Sequence, residues 1–248
     1  MSAATIDEVI LSLEEIIKKT KSDQNPMGYF AALYCKVTRK VKEGIIAGVF
    51  EDAARMERLD VIFANRYLDA YYQYNEHIKA TSCWELTFKN STEYHLIVLQ
   101  HLLLGMNAHI NLDLAIAAAQ TSEGGNIDSL KNDFNKINEI LGSLVKSVES
   151  ELSQVWPTLK YILRATSKAD TFLIDFSMEL ARDGAWCFAQ ELALLTKEQQ
   201  LISIEKRDAI VTQKAKIVTN SGFIARLIFM IMRHYENGSV ADKIEILR

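Results

Sequence analysis

Residues that break regular structure are scarce in this sequence. Only 2 of its 248 residues are proline and only 10 are glycine, against averages of about 5% and 7%. An all-β protein needs a turn about every 8–12 residues, and turns draw heavily on these two residues. The sequence therefore excludes an all-β protein. It predicts an all-α fold, in which residues 1–248 form a single compact bundle of roughly nine helices.

Clustered positive charge is also missing. The net charge is −4, and lysine and arginine form no long run. Because nucleic acids and anionic membranes are bound mainly through such clusters, we expect neither as a partner. We also expect no transmembrane span, since polar and charged residues interrupt the most apolar stretch of the chain, residues 96–119.

Cysteines are few and widely spaced: Cys35, Cys83 and Cys187. Such spacings form neither a disulfide framework nor a zinc ribbon, and free cysteines that pack as small apolar residues are typical of a reducing compartment. The N-terminus carries Asp7 and Glu8, where a secretory signal peptide would need a basic start. These features predict a cytoplasmic protein.

Established catalytic motifs are absent as well. The sequence contains no glycine-rich phosphate loop and no Gly-x-Ser-x-Gly turn. It also contains neither the Glu-x-x-His pair of di-iron proteins nor a His-Glu-x-x-His motif. A functional site must therefore be sought among the polar residues that interrupt the apolar faces of helices.

Capping residues mark where the helices begin. In a capping box, a Ser or Thr accepts a hydrogen bond from the first turn, and a Glu or Gln three residues later reaches back. Thr5–Glu8, Ser82–Glu85 and Thr196–Gln199 fit this pattern. Together with the apolar periodicity, these signals predict short helices after Trp84 and Ser239 and longer helices over residues 6–19, 27–42, 50–79, 92–120, 128–154, 158–165, 168–195, 197–217 and 220–236.

Three of the predicted helices carry a carboxylate on an otherwise apolar face. In the fourth helix, spacings of three and four residues place His109 and Asp113 on one inward seam with leucine and methionine. Asp60 interrupts the apolar face of the third helix, and Asp183 shares a face with leucines in the seventh. An unpaired buried carboxylate is unfavourable by several kcal/mol, so each of these groups needs a partner.

One interpretation of these carboxylates is a divalent metal site. His109 and Asp113 stand four residues apart on adjacent turns of one helical face, and Glu179 and Asp183 repeat that spacing. With Asp60 they would form a ligand set of one nitrogen and several oxygens, which suits zinc, manganese or iron. A metal-free alternative makes His109 a general base oriented by Asp113, with Asp60 and Asp183 as further catalytic carboxylates.

The other interpretation is a buried polar network without catalytic function. Buried aspartates on long helices are commonly held by an arginine or a tyrosine hydroxyl, and Arg66, Arg182 and Tyr67 are available for this role. On this reading the carboxylates stabilise the bundle, and no ligand is required.

Further polar residues accompany these helices. Asn107 and Asn111, which flank His109 beside Gly105, predict an interhelical amide network at a close contact between helices. Asp69 and Arg66, three residues apart, predict an ion pair within one helix. The residues expected to support the site are Arg66, Asp69, Asn107, Asn111, Arg182 and Trp186.

Three segments resemble the conserved stretches of an uncharacterised bacterial family of helical proteins. They contain Arg-Tyr-Leu-Asp-Ala at 66–70, Asn-Ala-His-Ile-Asn-x-Asp-Leu at 107–114 and Ala-Arg-x-x-Ala-Trp at 181–186, and the resemblance covers residues 27–235. The family brings no established activity. The resemblance does imply that a cluster of polar residues falls in the matching segments: Asp60, Asn65, Arg66, Asp69, Asn107, His109, Asn111, Asp113, Arg182, Asp183 and Trp186.

The sequence therefore predicts a hydrolase-like enzyme that acts on a small molecule by metal-assisted or acid–base catalysis. Two non-catalytic alternatives stay open. In one, the aromatic and methionine-rich core encloses a small apolar ligand. In the other, the chain is an interaction protein, and the apolar side of the helix over 128–154 packs either within the chain or across a homodimer.

Overall fold

The computed structural model describes residues 2–93, 95–123, 125–155, 178–220 and 223–248. Within these ranges the regular structure is helical throughout, without a β-strand. The predicted all-α fold is therefore confirmed. The predicted helix over 158–165, and the first residues of the one over 168–195, lie outside the described residues.

The helices begin and end close to the predicted positions, although the helix expected over 92–120 begins only at Val98. In chain order they are α1 (Ile6–Ser22), α2 (Met27–Ile46), α3 (Ala53–Asn75), α4 (Ser82–Lys89), α5 (Val98–Ala108), α6 (Leu114–Thr121), α7 (Lys131–Val155), α8 (Met178–Ala193), α9 (Lys197–Thr219), α10 (Phe223–His234) and α11 (Val240–Leu247). A π-helical segment, His109–Asp113, joins α5 to α6 without interruption.

Two of the predicted caps are confirmed and one is wrong. The Thr5 hydroxyl caps α1, and Thr196–Gln199 forms the predicted capping box at α9. In α4, the backbone amides of Ser82 and Cys83 instead donate to the Asp208 carboxylate at 2.7 and 2.9 Å. A carboxylate from the distant helix α9 therefore takes the place of the local capping box.

The continuous helix Val98–Thr121 forms the centre of the bundle. It packs against α2, α3, α4, α8 and α9. By length and composition alone it is apolar enough to cross a membrane, so the sequence argument against a span does not hold on those criteria. In the fold, 83% of its most apolar window is buried inside the protein.

Small residues let the helices approach this centre closely. A Cβ added at Gly105 of α5 would lie 2.5 Å from the Phe30 ring of α2, which confirms the close contact predicted there. The apolar side of α7, with Ile137 and Leu144 buried, packs within the chain.

The predicted inner face of α8 is wrong. Asp183 is exposed, and Leu194 on the same face is 88% exposed. Ala185 and Ala189 are fully buried instead, and α8 packs on the alanine-rich α6. Because small side chains on both helices allow the backbones to approach closely, the face with Ala185 and Ala189 turns inward, and the face with Leu180 and Leu194 turns outward.

Candidate functional site

The π-helical segment places an imidazole and a carboxylate side by side in the core. His109 and Asp113 stand at its two ends, and His109 Nδ1 lies 3.1 Å from Asp113 Oδ2. Their side chains are 3% and 0% exposed. Isolated π turns are rare within α-helices and are frequently found at functional sites. The pairing predicted from the four-residue spacing is therefore present in the structure.

Two further helices supply donors to Asp113. Arg66 of α3 donates its Nε–H to Oδ1 at 2.8 Å, and Trp84 of α4 donates its indole N–H to Oδ2 at 2.8 Å. Burial alone would raise the pKa of Asp113, but the charge of Arg66 and the hydrogen bonds from His109 and Trp84 outweigh it and hold that pKa below its usual value. Asp113 is therefore an ionised carboxylate at neutral pH.

The same surroundings keep His109 neutral. Burial lowers the pKa of His109, the hydrogen bond and charge of Asp113 offset this only in part, and the charge of Arg66 lowers it further. A neutral imidazole beside an ionised carboxylate donates from Nδ1, so the lone pair is left on Nε2. His109 Nε2 is buried, and among the residues that the structure describes it has no hydrogen-bond partner.

Aromatic rings surround the imidazole. The Phe63 ring stacks on it, with 3.6 Å between ring centroids and an interplanar angle of 8°, and Tyr34 meets it edge-on at 4.5 Å. Phe63 is only partly buried. The rings of Phe30, Tyr67 and Trp84 lie farther out, at 5.8–6.1 Å. Of the five rings around His109, Phe63 is therefore the one that is partly exposed.

Asp60 is buried one turn before Phe63 on α3. It is 5% exposed, and its Oδ2 atom has no hydrogen-bond partner in the described part of the chain. Burial, and secondarily the charge of Glu57, raises the pKa of Asp60 to about 7. The pKa of Tyr34 is raised well above its usual value by burial and then by the charges of Asp60 and Asp113. Tyr34 thus lies within the electrostatic reach of both carboxylates.

The predicted amide network is present on another side of the central helix. Asn111 Nδ2 donates to Asn107 Oδ1 at 3.2 Å, and Asn107 Nδ2 donates to the Val211 carbonyl of α9 at 3.0 Å. Arg207 donates its Nε–H to the Asn111 carbonyl at 3.0 Å. These contacts join the π-helical segment to α9 and fix its position.

The other predicted supporting residues lie away from His109. Arg182 is buried, donates to the Phe134 carbonyl at 2.5 Å and sits over the Phe134 ring, and burial lowers its pKa to about 10. Trp186 packs on the same Phe134 ring at 4.9 Å, so both residues join α8 to α7. Asp69 is exposed, and its predicted partner Arg66 binds Asp113 instead.

The predicted metal ligands are not brought together. Asp183 is exposed, and the side chain of Glu179 lies outside the described part of the chain. Across the residues that the structure describes, no group of three or more His, Cys, Asp or Glu side chains could hold a metal ion. The arginine and indole donors take up the oxygens of Asp113, so this donor set does not fit the predicted metal.

Sequence reasoning missed three residues that shape the site: Tyr34, Phe63 and Trp84. In the sequence, Tyr34 and Phe63 look like ordinary core residues. No local pattern shows whether an aromatic ring will pack against a leucine or against an imidazole. Trp84 was noted only as the start of a short helix. A tryptophan there carries a polar N–H that needs an acceptor when buried, which is the one signal in the sequence for its role.

Comparison with known proteins identifies one family. The model of a family described as "Family of unknown function (DUF5995)" matches residues 6–221. This confirms the resemblance to an uncharacterised helical family, with a matched range that starts and ends earlier than expected. Neither the curated proteins nor the solved structures contain a significant match.

Proposed function

The chain belongs to DUF5995, a family of unknown function, and from its core geometry we propose that it is an enzyme in which His109 acts as a general base on a small molecule. The observation that carries this proposal is the buried Nε2 of His109, which has no hydrogen-bond partner among the described residues, while Nδ1 is paired with Asp113. This arrangement matches the orientation of a catalytic histidine by a carboxylate.

The unpartnered nitrogen supports a functional role over a purely structural one. Leaving a buried acceptor unsatisfied costs about 1–3 kcal/mol. Buried side chains that serve only stability are usually hydrogen-bonded at each polar atom. Asn107, for example, donates from Nδ2 to the Val211 carbonyl and accepts at Oδ1 from Asn111. This free-energy cost is explained if Nε2 of His109 forms its hydrogen bond with a substrate or a water molecule.

The base has no protein nucleophile attached to it. In the described part of the chain, no Ser, Thr or Cys side chain is hydrogen-bonded to His109 Nε2. We therefore propose hydrolysis: Nε2 takes a proton from water as the water oxygen bonds to a carbonyl carbon, and the leaving group takes a proton from an acid as its bond to that carbon breaks. The proton held by the imidazolium then replaces the one that the acid gave to the leaving group.

Arg66 is suited to hold the substrate beside this base. Asp113 binds only its Nε, and among the described residues no acceptor is hydrogen-bonded to its two terminal nitrogen atoms. The Arg66 side chain is 25% exposed. A carbonyl or carboxylate oxygen on the substrate would suit the planar guanidinium group.

Asp60 is the candidate proton donor that complements His109. Its pKa of about 7 keeps part of the population protonated at neutral pH, while His109 is neutral. Two titratable groups whose surroundings push their pKa values apart are typical of acid–base pairs. The Tyr34 ring contacts His109, and its hydroxyl lies within the electrostatic reach of Asp60.

Access to the base would require the Phe63 ring to move. Phe63 covers one face of His109 and is itself partly exposed, so a change of its side-chain rotamer would open that face to solvent. Such a gating movement also shields the reaction from bulk water once substrate is bound.

The test is a panel of small chromogenic esters, amides and phosphoesters, assayed with the wild type, with His109→Gln and with His95→Gln as a matched control. His95 is an exposed histidine, with 52% of its side chain accessible. We expect a loss of about 10²–10⁴-fold in kcat/KM for His109→Gln and none for His95→Gln. Equal activity of the two variants, or no turnover of any substrate by the wild type, would contradict the proposal.

The pH profile provides a second test that does not depend on how well His109→Gln folds. Activity should rise with pH as His109 loses its proton, and this rise should have a midpoint below pH 6.5, because the pKa of His109 is lowered from that value. Activity should then fall near pH 7 as Asp60 ionises. We expect Asp60→Asn to abolish the fall at high pH. A fall that persists unchanged in Asp60→Asn would contradict the role given to Asp60.

A further inference from the structure

Asp208 of α9 reaches across to the start of α4. The residue is 8% exposed, and its two carboxylate oxygens accept from the backbone amides of Ser82 at 2.7 Å and Cys83 at 2.9 Å. The first amides of a helix have no partner within it, and together they attract a negative charge. Asp208 therefore fixes the first turn of α4 to a distant helix.

A local residue stands in place to cap α4 but does not do so. Thr81 occupies the N-cap position, where a threonine side chain commonly accepts from the first turn. Its hydroxyl makes no such hydrogen bond and lies 3.6 Å from the Cys83 sulfur instead. Burying the carboxylate of Asp208 is the more costly way to cap a helix. The stability of α4 alone therefore does not account for Asp208.

Trp84 follows directly in the turn that Asp208 holds. Its side chain is 1% exposed, and its indole N–H donates to Asp113 Oδ2 at 2.8 Å. The same oxygen lies 3.1 Å from His109 Nδ1. Because the two capped amides and Trp84 belong to one helical turn, a displacement of these amides also moves the indole. The contacts form one path from Asp208 through α4 to the carboxylate beside His109.

The same turn of α9 also holds the π-helical segment. Arg207, next to Asp208, donates to the Asn111 carbonyl at 3.0 Å, and the Val211 carbonyl accepts from Asn107 at 3.0 Å. One turn of α9 therefore contacts both the central helix, which carries the carboxylate acceptor, and α4, which carries the indole donor. This arrangement fixes the donor relative to its acceptor.

We infer that Asp208 is a positioning residue for the general base, an inference that rests on the proposed function of His109. By capping α4, it holds the indole N–H of Trp84 on Asp113 and keeps that carboxylate directed at the imidazole. Without the indole, Asp113 would be held by Arg66 and His109 alone. The charge left on Oδ2 would then favour the protonated imidazole.

The experiment compares Asp208→Asn with the wild type by NMR of the full chain. Asparagine offers one acceptor oxygen to two amides, so the first turn of α4 should shift. We expect a changed indole ¹⁵N–¹H signal of Trp84, assigned with Trp84→Phe, and a pKa of His109 that is higher by about 0.5–1. The matched control is Thr5→Ala, which removes the cap of α1 and should change neither signal.

A double-mutant cycle distinguishes this path from a general loosening of the fold. Trp84→Phe leaves the cap of α4 in place and should raise the pKa of His109 by a similar amount. In that background Asp208→Asn should add nothing, because both substitutions break the same path. Asp208→Glu, which keeps the charge but displaces it by one methylene group, should shift the same signals in the same direction.

These signals do not require catalysis, so they test the positioning role separately from the hydrolysis itself. On a substrate that the wild type hydrolyses, Asp208→Asn should lower kcat by about 10-fold and leave KM nearly unchanged, because Asp208 acts on the base and not on the substrate. A wild type without turnover would contradict the proposed function, and the NMR result would still decide whether Asp208 holds the pair of His109 and Asp113.

Three results would overturn the positioning role. The first is an Asp208→Asn variant whose Trp84 and His109 signals match those of the wild type. The second is an additive effect of the two substitutions on the pKa of His109. The third is a change in KM with kcat unchanged.

Discussion

Asp60 lies in surroundings that disfavour the ionised form of its carboxyl group. Its carboxylate is buried, one of its oxygens has no hydrogen-bond partner in the part of the chain that the structure describes, and its pKa is raised from 3.8 to about 7. Between pH 4 and 7 the unfolded chain has released this proton while the folded protein retains it. The stability that the protonated form provides is therefore complete below pH 4 and is lost as the pH rises to about 7.

This loss of stability with rising pH gives a prediction for Asp60→Asn. The variant should gain stability over the wild type as the pH rises, by up to about 4 kcal/mol above pH 7 and by little at pH 4. Urea unfolding at both pH values measures the difference. Asp69→Asn, an exposed aspartate on the same helix, is the control and should show no such trend. A constant difference between the two pH values would contradict the buried, unpaired state of Asp60.

Some of the site could be predicted from single residues and some could not. The four-residue spacing was enough to pair His109 with Asp113, because both ends of that contact lie on one helix. The partners Arg66 and Trp84 come from two other helices, and their choice depends on how those helices pack. The sequence predicts a buried Asp183 because leucines share its helical face. In the structure that face is exposed, and Asp183 is exposed with it.

At the scale of elements, the approach of α2 to α5 positions the rings around His109. Gly105 makes this approach feasible, because an added Cβ would stand 2.5 Å from the Phe30 ring. Gly184 on α8 differs, since the nearest atom to an added Cβ is the flexible end of Arg207 at 3.5 Å. The same substitution, glycine to alanine in a helix, therefore meets a tightly packed ring at Gly105 and only a flexible side chain at Gly184.

We expect Gly105→Ala to destabilise the protein by about 1–3 kcal/mol, because Phe30 must move in a packed core. Gly184→Ala should be neutral or stabilising by about 0.5–1 kcal/mol, since alanine is the better helix former. Thermal or urea unfolding of the two variants provides the comparison. Equal effects of the two substitutions would show that the α2–α5 contact is looser than described.

Helix boundaries were predicted well where the cap is local and poorly where it is supplied from a distance. The Thr5 and Thr196 caps use neighbouring residues and were identified from the sequence. The first turn of α4 is capped by Asp208, more than a hundred residues away in the chain. Local patterns cannot identify such a partner, because the contact exists only after α9 has packed on α4.

At the scale of the whole molecule, residues on the C-terminal side of the family match at 6–221 help to hold the central helix Val98–Thr121 in place. Glu236, whose side chain is 1% exposed, accepts from the Val98 amide at 2.7 Å and thereby caps α5. Lys243 of α11 binds the same carboxylate at 2.9 Å. Ile244 and Leu247 of α11 are fully buried. The helix that carries the site is therefore anchored by residues beyond 221.

Removal of residues 239–248 should consequently destabilise the bundle by at least about 3 kcal/mol, since two buried aliphatic side chains contribute about 1.5–3 kcal/mol each. Hydrogen exchange should accelerate first in the opening turn of α5, where Glu236 loses Lys243. Glu245→Gln, a change at an exposed residue of α11, is the control. Unchanged exchange at Val98 and its neighbours after truncation would contradict this anchoring role.

The state of His109 tests the account most directly. Two-dimensional ¹H–¹⁵N NMR of the histidine rings at pH 7 distinguishes the protonated nitrogen from the one that carries a lone pair, and a pH titration gives the pKa. We predict a neutral ring with the proton on Nδ1, a free Nε2 and a pKa below 6.5. An imidazolium at pH 7, or a proton on Nε2, would contradict the proposed general base.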